Sequence, residues 1–147
     1  MKKTTLGWTL LAFLLVLAAP AYADDSPMGL WKTIDDDGKT EKSYVQITEK
    51  DGTLSGKVIR LLQKPQDTLC DQCTGDKKDQ PIVGMEIMWG LKKEENGNAY
   101  SGGKIMDPDN GKEYRCKIWR EGDTLKVRGY IAFLYRTQTW FLVKEPQ

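Results

Sequence analysis

Short runs of alternating apolar and polar residues, separated by glycine-containing turns, follow the first 23 residues of the chain. The runs are rich in Val, Ile, Tyr, Trp and Thr and have no convincing helical periodicity, which favours β-strands. Five dipeptides mark hairpin turns, because such turns need positive φ angles that Gly, Asn and Asp tolerate best. They are Asp37-Gly38, Asp51-Gly52, Asn96-Gly97, Asn110-Gly111 and Gly122-Asp123.

Eight strands can be placed between these signals, and they predict an all-β fold. An antiparallel meander of this length normally closes, because closure removes exposed strand edges. We therefore expect an eight-stranded up-and-down barrel, which is either filled by side chains or holds one small ligand. One connection, Gln63 to Gln80, is long and polar, as in a functional loop or a lid. The predicted strands are Gly29–Ile34, Glu41–Thr48, Thr53–Leu62, Pro81–Leu91, Ala99–Met106, Lys112–Arg120, Thr124–Phe133 and Arg136–Val143.

The first 23 residues have the pattern of a cleaved secretory signal. Lys2 and Lys3 precede an apolar stretch from Leu10 to Ala19, and the small residues of Ala21-Tyr22-Ala23 suit a signal peptidase. The stretch is too short for a membrane-spanning anchor. We expect residues 1–23 to be removed, residues 24–147 to form one barrel domain, and the mature protein to be periplasmic or secreted with no membrane span.

Composition narrows the possible functions. Without Lys2 and Lys3 the chain has 20 basic and 21 acidic residues, so it lacks the basic surplus that nucleic-acid binding needs. It also contains no histidine, which excludes Ser-His-Asp and Cys-His catalysis and the usual imidazole zinc sites. This absence counts against an enzyme without deciding the matter, and we expect no catalytic residues, no bound metal and no cofactor. Oligomeric state is left open.

Two acidic segments, Asp35-Asp36-Asp37-Gly38 and Asp107-Pro108-Asp109-Asn110-Gly111, resemble calcium loops superficially. In the second, the glycine is fifth rather than sixth and Ile118 stands where an EF-hand has its Glu, so both segments are interpreted as hairpin turns.

The first and last strands of a closed meander are neighbours, which suggests how the barrel is closed. Gly29-Leu30-Trp31 opens the first strand and Arg136 opens the last. We expect Arg136 to lie across the indole of Trp31 in a cation–π contact that plugs one end. The pair resembles the lipocalin signature, a G-x-W covered by a late arginine.

Three cysteines are present: Cys70, Cys73 and Cys116. Cys70-Asp71-Gln72-Cys73 lies in a loop rather than at a helix N-terminus, so a structural disulfide is favoured over a redox centre. The bond could form within the loop or from the loop to Cys116. Cys116 is the natural unpaired residue, behaving as a small apolar side chain.

An adaptable apolar cavity needs aromatic and methionine side chains that face inward. Tyr114, Tyr130 and Gln138 are candidates for orienting a ligand through polar groups. The tentative ligand-binding set is Met85, Ile87, Trp89, Tyr114, Ile118, Tyr130, Gln138 and Trp140.

Six segments of the mature chain are distinctive: GLWKT, CDQCTG, PIVGM, SGGKIMDPDNGKEYRC, VRGYI and RTQTW, which begin at residues 29, 70, 81, 101, 127 and 136. In these segments the chain resembles the domain-of-unknown-function 2147 family of bacterial secreted proteins. The resemblance implies a lipocalin-like barrel and no established activity.

Three functional hypotheses follow from this reading. The first is a periplasmic carrier of a small, largely apolar molecule. The second is a thiol-active envelope protein that uses Cys70 and Cys73. The third is a filled barrel that serves as an interaction module.

Overall fold

A computed structural model describes residues 24–144, and they form one closed antiparallel barrel. Each strand pairs with the next along the chain, and β1 pairs with β8, so the predicted eight-stranded up-and-down barrel is confirmed. The predicted signal at residues 1–23 lies outside the described residues. The strands are β1 (Gly29–Ile34), β2 (Glu41–Lys50), β3 (Thr53–Leu61), β4 (Glu86–Lys93), β5 (Tyr100–Asp107), β6 (Lys112–Glu121), β7 (Thr124–Ile131) and β8 (Leu134–Leu142).

Strand β4 differs most from the sequence-based expectation. It begins at Glu86 rather than Pro81, and its register against β3 shifts on both sides of Gly56. The shifts allow both Ile87 and Met88 to be buried, whereas Trp89 pairs with Lys104 and is only partly buried. Simple alternation along β4 therefore fails, because each bulge inserts a residue that reverses the facing of those after it.

The β7–β8 turn also lies earlier than expected. Strand β7 ends at Ile131 rather than Phe133, and β8 already begins at Leu134. Ala132 adopts a positive φ of 53°, so the tight turn is made without glycine. The hairpin therefore carries apolar residues at its tip.

One end of the barrel is closed by packed side chains. Trp31 is fully buried, and its indole N–H donates to the Pro27 carbonyl at 2.8 Å. Arg120, at the end of β6, lies over the Trp31 ring with its Cζ 5.5 Å from the centroid. Beneath this plug the barrel is filled by large apolar side chains. They are Val45, Ile47, Leu54, Met88, Leu91, Ile118 and Leu125.

The expectation that Arg136 covers Trp31 is wrong. The side chain of Arg136 is 72% exposed and pairs with Asp36, whereas that of Arg120 is 9% exposed. Arg136 follows the start of β8, and Trp31 pairs with Leu142 near the opposite end of that strand. Adjacent strands place residues together only at matching register, so Arg136 is at the far end of the barrel from Trp31.

The long β3–β4 connection, residues 62–85, is anchored to the barrel wall. Leu69 and Pro81 form an isolated bridge, and a short 3-10 helix covers Gly75–Lys77. Backbone packing against the β5–β6 turn is tight: a Cβ on Gly111 would lie 1.9 Å from the Gln72 carbonyl oxygen, and Gly111 has a φ of +69°. Glycine is therefore required at residue 111 for this approach. Within residues 24–144 no helix is both long and apolar enough to cross a bilayer.

Candidate functional site: the open end of the barrel

Four connections meet at the end opposite Trp31. In an up-and-down barrel successive turns alternate between the two ends, so the β1–β2, β3–β4, β5–β6 and β7–β8 connections share one rim. Residues from the first three connections, together with Ile131 and Leu134 on either side of the fourth, line a cavity of about 550 Å³. This volume lies within the range of small-molecule sites. The barrel is therefore not completely filled.

The inner wall of this cavity is mainly apolar. Val127 and Gly129 of β7 lie on it, and the absence of a side chain at Gly129 leaves room beside Tyr114, whose Cβ would be 3.4 Å from an added Cβ. Ile82 from the long connection completes the wall near Val58. The apolar lining comprises Val58, Leu61, Ile82, Ile87, Ile105, Met106, Val127 and Trp140.

A chain of hydrogen bonds runs from the floor of the cavity to its mouth. The buried Trp140 indole N–H donates to the Gln138 amide oxygen at 3.0 Å. The Gln138 amide nitrogen in turn donates to Asp36 at 2.8 Å, and Arg136 ion-pairs with the same carboxylate. These contacts fix the orientation of the Gln138 amide. Although burial alone would raise the pKa of Asp36, the Gln138 and Arg136 hydrogen bonds hold it below its ordinary value.

A second charged group lies on the same rim. Asp109 accepts hydrogen bonds from both Lys42 and Lys64, the latter at 2.7 Å, and Lys42 also lies 3.5 Å from Asp35. Partial burial opposes ionisation of Asp109, but the two ammonium groups hold its pKa below the usual range. The mouth thus presents cations and carboxylates that are already paired.

Asp107 differs from the neighbouring acids. Burial raises its pKa, and the nearby Asp109 carboxylate adds to that effect. Its side chain accepts hydrogen bonds from the Asp109 backbone N–H at 2.9 Å and from the Asn110 amide at 3.1 Å. These contacts shape the β5–β6 turn, so the acidic segment acts as a structured turn as expected, although it also lines the cavity mouth.

Neutral hydroxyl groups also line the cavity, at Thr33, Ser43 and Tyr114. The Thr33 and Ser43 hydroxyls are 2.9 Å apart and both residues are buried. The Tyr114 hydroxyl lies 3.5 Å from the Asn110 amide. A ligand entering the cavity therefore meets an apolar wall with a few polar groups, the arrangement that gives small-molecule sites their orientation specificity.

The structure separates the tentative ligand-binding residues into two groups. Ile87, Tyr114, Gln138 and Trp140 line the cavity. The other four do not, and their placement is a correction. Met85 and Ile118 are buried in the packed core away from the cavity lining, whereas Trp89 and Tyr130 lie on the outer wall.

The two outward residues have identifiable partners. The Lys77 ammonium lies 4.3 Å from the Trp89 ring centroid, and the Arg115 guanidinium lies 5.8 Å from that of Tyr130. Tyr130 pairs in register with Arg115 and Tyr135, so its pleat places it outside. The size and aromatic character of Trp89 and Tyr130 do not by themselves indicate which face of the sheet they occupy.

The cysteine prediction is resolved in favour of a bond within the loop. Cys70 and Cys73 form a disulfide, and Cys116 is the free, buried thiol. Desolvation raises the pKa of Cys116 to about 12. Both bonded cysteines are buried: the Cys70 sulfur lies 3.4 Å from the Pro108 carbonyl, and that of Cys73 lies 3.8 Å from the Met106 sulfur. Such burial disfavours attack by an external thiolate.

Several mouth residues escaped the sequence analysis. Asp36 and Asp109 were assigned only to turns, and Lys42 and Lys64 were not singled out. The alternation of turns between barrel ends was a usable signal, because it places the two acidic turns on the same rim. Within residues 24–144 no group of three or more His, Cys, Asp or Glu side chains is arranged to hold a metal ion.

Comparison with known proteins supports the fold. A family model described as "Uncharacterized protein conserved in bacteria (DUF2147)" matches residues 29–141. Among solved structures, the chain is similar to protein HP1028 from the human pathogen Helicobacter pylori, which is described as belonging to the lipocalin family. That match has a TM-score of 0.71 and 16% identity over 82% of this chain and 85% of the other. No curated protein matches.

Proposed function

The chain belongs to the DUF2147 family of bacterial proteins, and we propose that it binds or carries a small, largely apolar ligand with one polar end. The observation that carries this proposal is the half-open cavity of about 550 Å³, apolar along its wall and polar at its mouth. Burial of the ligand's apolar part would supply the affinity. The polar end would lie at the rim, where Gln138 and Tyr114 can hydrogen-bond with it.

We also propose that the protein acts in the bacterial envelope or outside the cell. The support is the leader pattern at residues 1–23 together with the Cys70–Cys73 disulfide, since disulfides persist in oxidising compartments. A carrier in such a compartment would shield an apolar molecule from water. The thiol-active alternative gains no support from the geometry, because both sulfurs are buried.

The test uses protein purified from the periplasmic fraction, with intact mass measured first. We expect a mature chain that starts at Asp24. After delipidation, the probe is cis-parinaric acid, a fluorescent fatty acid, titrated against the protein. Binding should approach one to one and quench part of the Trp emission, since Trp140 lies on the cavity.

Matched variants locate the binding site. Gly129→Leu places a side chain into the cavity at a position without a positive φ, and it should weaken probe binding by about tenfold or more. Lys57→Leu, on the exposed outer wall of β3, adds the same side chain elsewhere and should leave binding unchanged. Equal affinities for the wild type and Gly129→Leu, or no binding by the delipidated protein, would refute the cavity as a ligand site.

A further inference from the structure

The tip of the β7–β8 hairpin is an exposed apolar surface. Ile131, Phe133, Leu134 and Tyr135 are 62%, 88%, 64% and 61% exposed. In the described chain, residues 24–144, these four account for half of the eight large hydrophobic side chains that lie mostly in solvent. Clustering of this kind is typical of an interaction site, whereas isolated exposed hydrophobic residues are ordinary.

The tip is continuous with the mouth of the cavity. Ile131, Leu134 and Tyr135 contribute to the cavity lining as well as to the outer surface. The turn itself is supported from the outside, because the Arg115 guanidinium donates to the Ala132 carbonyl at 2.9 Å. The hairpin therefore presents Phe133 on a held turn rather than on a loose loop.

The outer wall behind the tip is basic and aromatic. The Arg128 guanidinium lies 4.1 Å from the Tyr135 ring centroid and 4.9 Å from that of Trp119. Arg115 of β6 is paired across the strands with Tyr130 of β7 and lies over its ring. Two lysines of the same wall have partners: Lys117 pairs with Glu94, and Lys126 donates to Thr139. The acid on this wall nearest the tip, Glu113, is ion-paired with Lys104 at 3.0 Å.

We propose that the β7–β8 tip docks the protein on an anionic lipid surface, with Phe133 and Leu134 entering the interface and Arg115 and Arg128 facing the headgroups. Apolar side chains flanked by arginines and tyrosines are suited to the boundary between headgroups and acyl chains. Anionic headgroups would attract the basic wall over the Debye length.

Charge complementarity favours this occupant over a second copy of the chain. A symmetric contact through the same face would bring Arg115 and Arg128 of one copy toward those of the other, and like charges oppose such a contact. An anionic lipid surface instead matches the basic wall. Since the tip borders the cavity mouth, docking would bring the mouth to the lipid surface. An apolar molecule could then pass between the lipid and the cavity without crossing water. Docking itself needs no ligand in the cavity, so its failure would leave the ligand proposal standing.

The experiment is cosedimentation of the purified protein with vesicles of phosphatidylglycerol and phosphatidylcholine, compared with pure phosphatidylcholine. We expect binding to the anionic vesicles that weakens as salt rises from about 0.1 to 0.5 M. The double change Phe133→Ser with Leu134→Ser should weaken it by at least about tenfold. The control Phe141→Ser, also an exposed aromatic position on β8 but at the opposite end, should bind like the wild type.

The role of the two arginines is tested by comparing variants that remove their charge with variants that keep it. Removing the charges by Arg115→Gln and Arg128→Gln should weaken binding by about fivefold for each charge, and Arg115→Lys with Arg128→Lys should retain it. Lys57→Gln with Lys92→Gln removes the same charge from exposed positions on β3 and β4 and should have little effect. If all charge-removing variants weaken binding equally, the contact is a general attraction and the tip is not the docking site.

Insertion of the tip into the lipid is measured by the fluorescence of the Phe133→Trp variant. Its emission should shift to the blue with anionic vesicles and be quenched by brominated acyl chains. Sedimentation velocity gives the competing outcome: a wild-type dimer that becomes monomeric in Phe133→Ser with Leu134→Ser, with no vesicle binding, would show that a second copy occupies the tip and would overturn the proposal.

Discussion

The two ends of this barrel are built from the same strands but have opposite interiors. At the Trp31 end, large side chains fill the barrel and Arg120 covers the plug with hydrogen bonds to Ser26 and Gly122 backbone carbonyls. At the other end, Val127 and Gly129 border a cavity whose rim carries ion pairs. The comparison shows that one strand can help fill the barrel at one end and border a cavity at the other, according to side-chain size along its inner face.

The largest expected effect comes from opening the filled end. Trp31→Ala should lower the free energy of unfolding by about 3–5 kcal/mol, because a fully buried indole and its packing are lost. Ile131→Ala at the open end should change it by less than about 0.5 kcal/mol, because that side chain is exposed. Urea denaturation measures both. If Trp31→Ala does not fold, Trp31→Phe replaces it in the measurement. Similar losses of unfolding free energy for the variants at residues 31 and 131 would contradict the difference between the two ends.

A matched pair of arginines tests the comparison more finely. Arg120→Ala should cost about 2 kcal/mol, since it removes a buried side chain and its cation–π contact and leaves the part-buried Ser26 and Gly122 carbonyls without their donor. Arg136→Ala should lower the free energy of unfolding by clearly less than Arg120→Ala, because its ion pair with Asp36 is solvent-exposed. Equilibrium unfolding of the two variants decides the order. A larger loss of unfolding free energy for Arg136→Ala would indicate that Arg136, and not Arg120, stabilises the closed end of the barrel.

The smallest expected effect is a pH dependence of the stability of the β1–β2 turn at the open end. Asp37 accepts hydrogen bonds from the Thr40 hydroxyl and from the Lys39 and Thr40 backbone N–H groups, which lower its pKa to about 2. A carboxyl whose pKa is depressed on folding stabilises the folded state above its unfolded pKa, about 3.9, and loses that contribution as pH falls toward 2. Hydrogen exchange in the β1–β2 turn should therefore rise between pH 4 and 2, after correction for the intrinsic rate.

The β6–β7 turn at the filled end serves as the internal reference for this measurement. Asp37→Asn should show a flatter pH response in the β1–β2 turn, because it has no proton to gain. Parallel responses in the wild type and the variant would mean that Asp37 does not control the turn.

Particular residues show how far the sequence could be interpreted. The glycine turns and the alternating runs predicted eight antiparallel strands and their closure, and the loop disulfide was among the stated alternatives. Gln138 and Trp140 were named as tentative ligand-binding residues for their polar and aromatic character, and both line the cavity. Trp89 was misassigned, because its facing depends on bulges opposite Gly56 that alternation does not reveal.

The sequence by itself determined the local features: where the chain turns, which residues alternate, and that the strands can close. These follow from backbone preferences and side-chain alternation over a few residues. The tertiary structure alone decided which arginine reaches Trp31, which acidic turns share a rim, and where the barrel remains open. Each of these depends on register between strands that are distant in sequence and on the combined volume of side chains from several strands, neither of which is a property of any one segment.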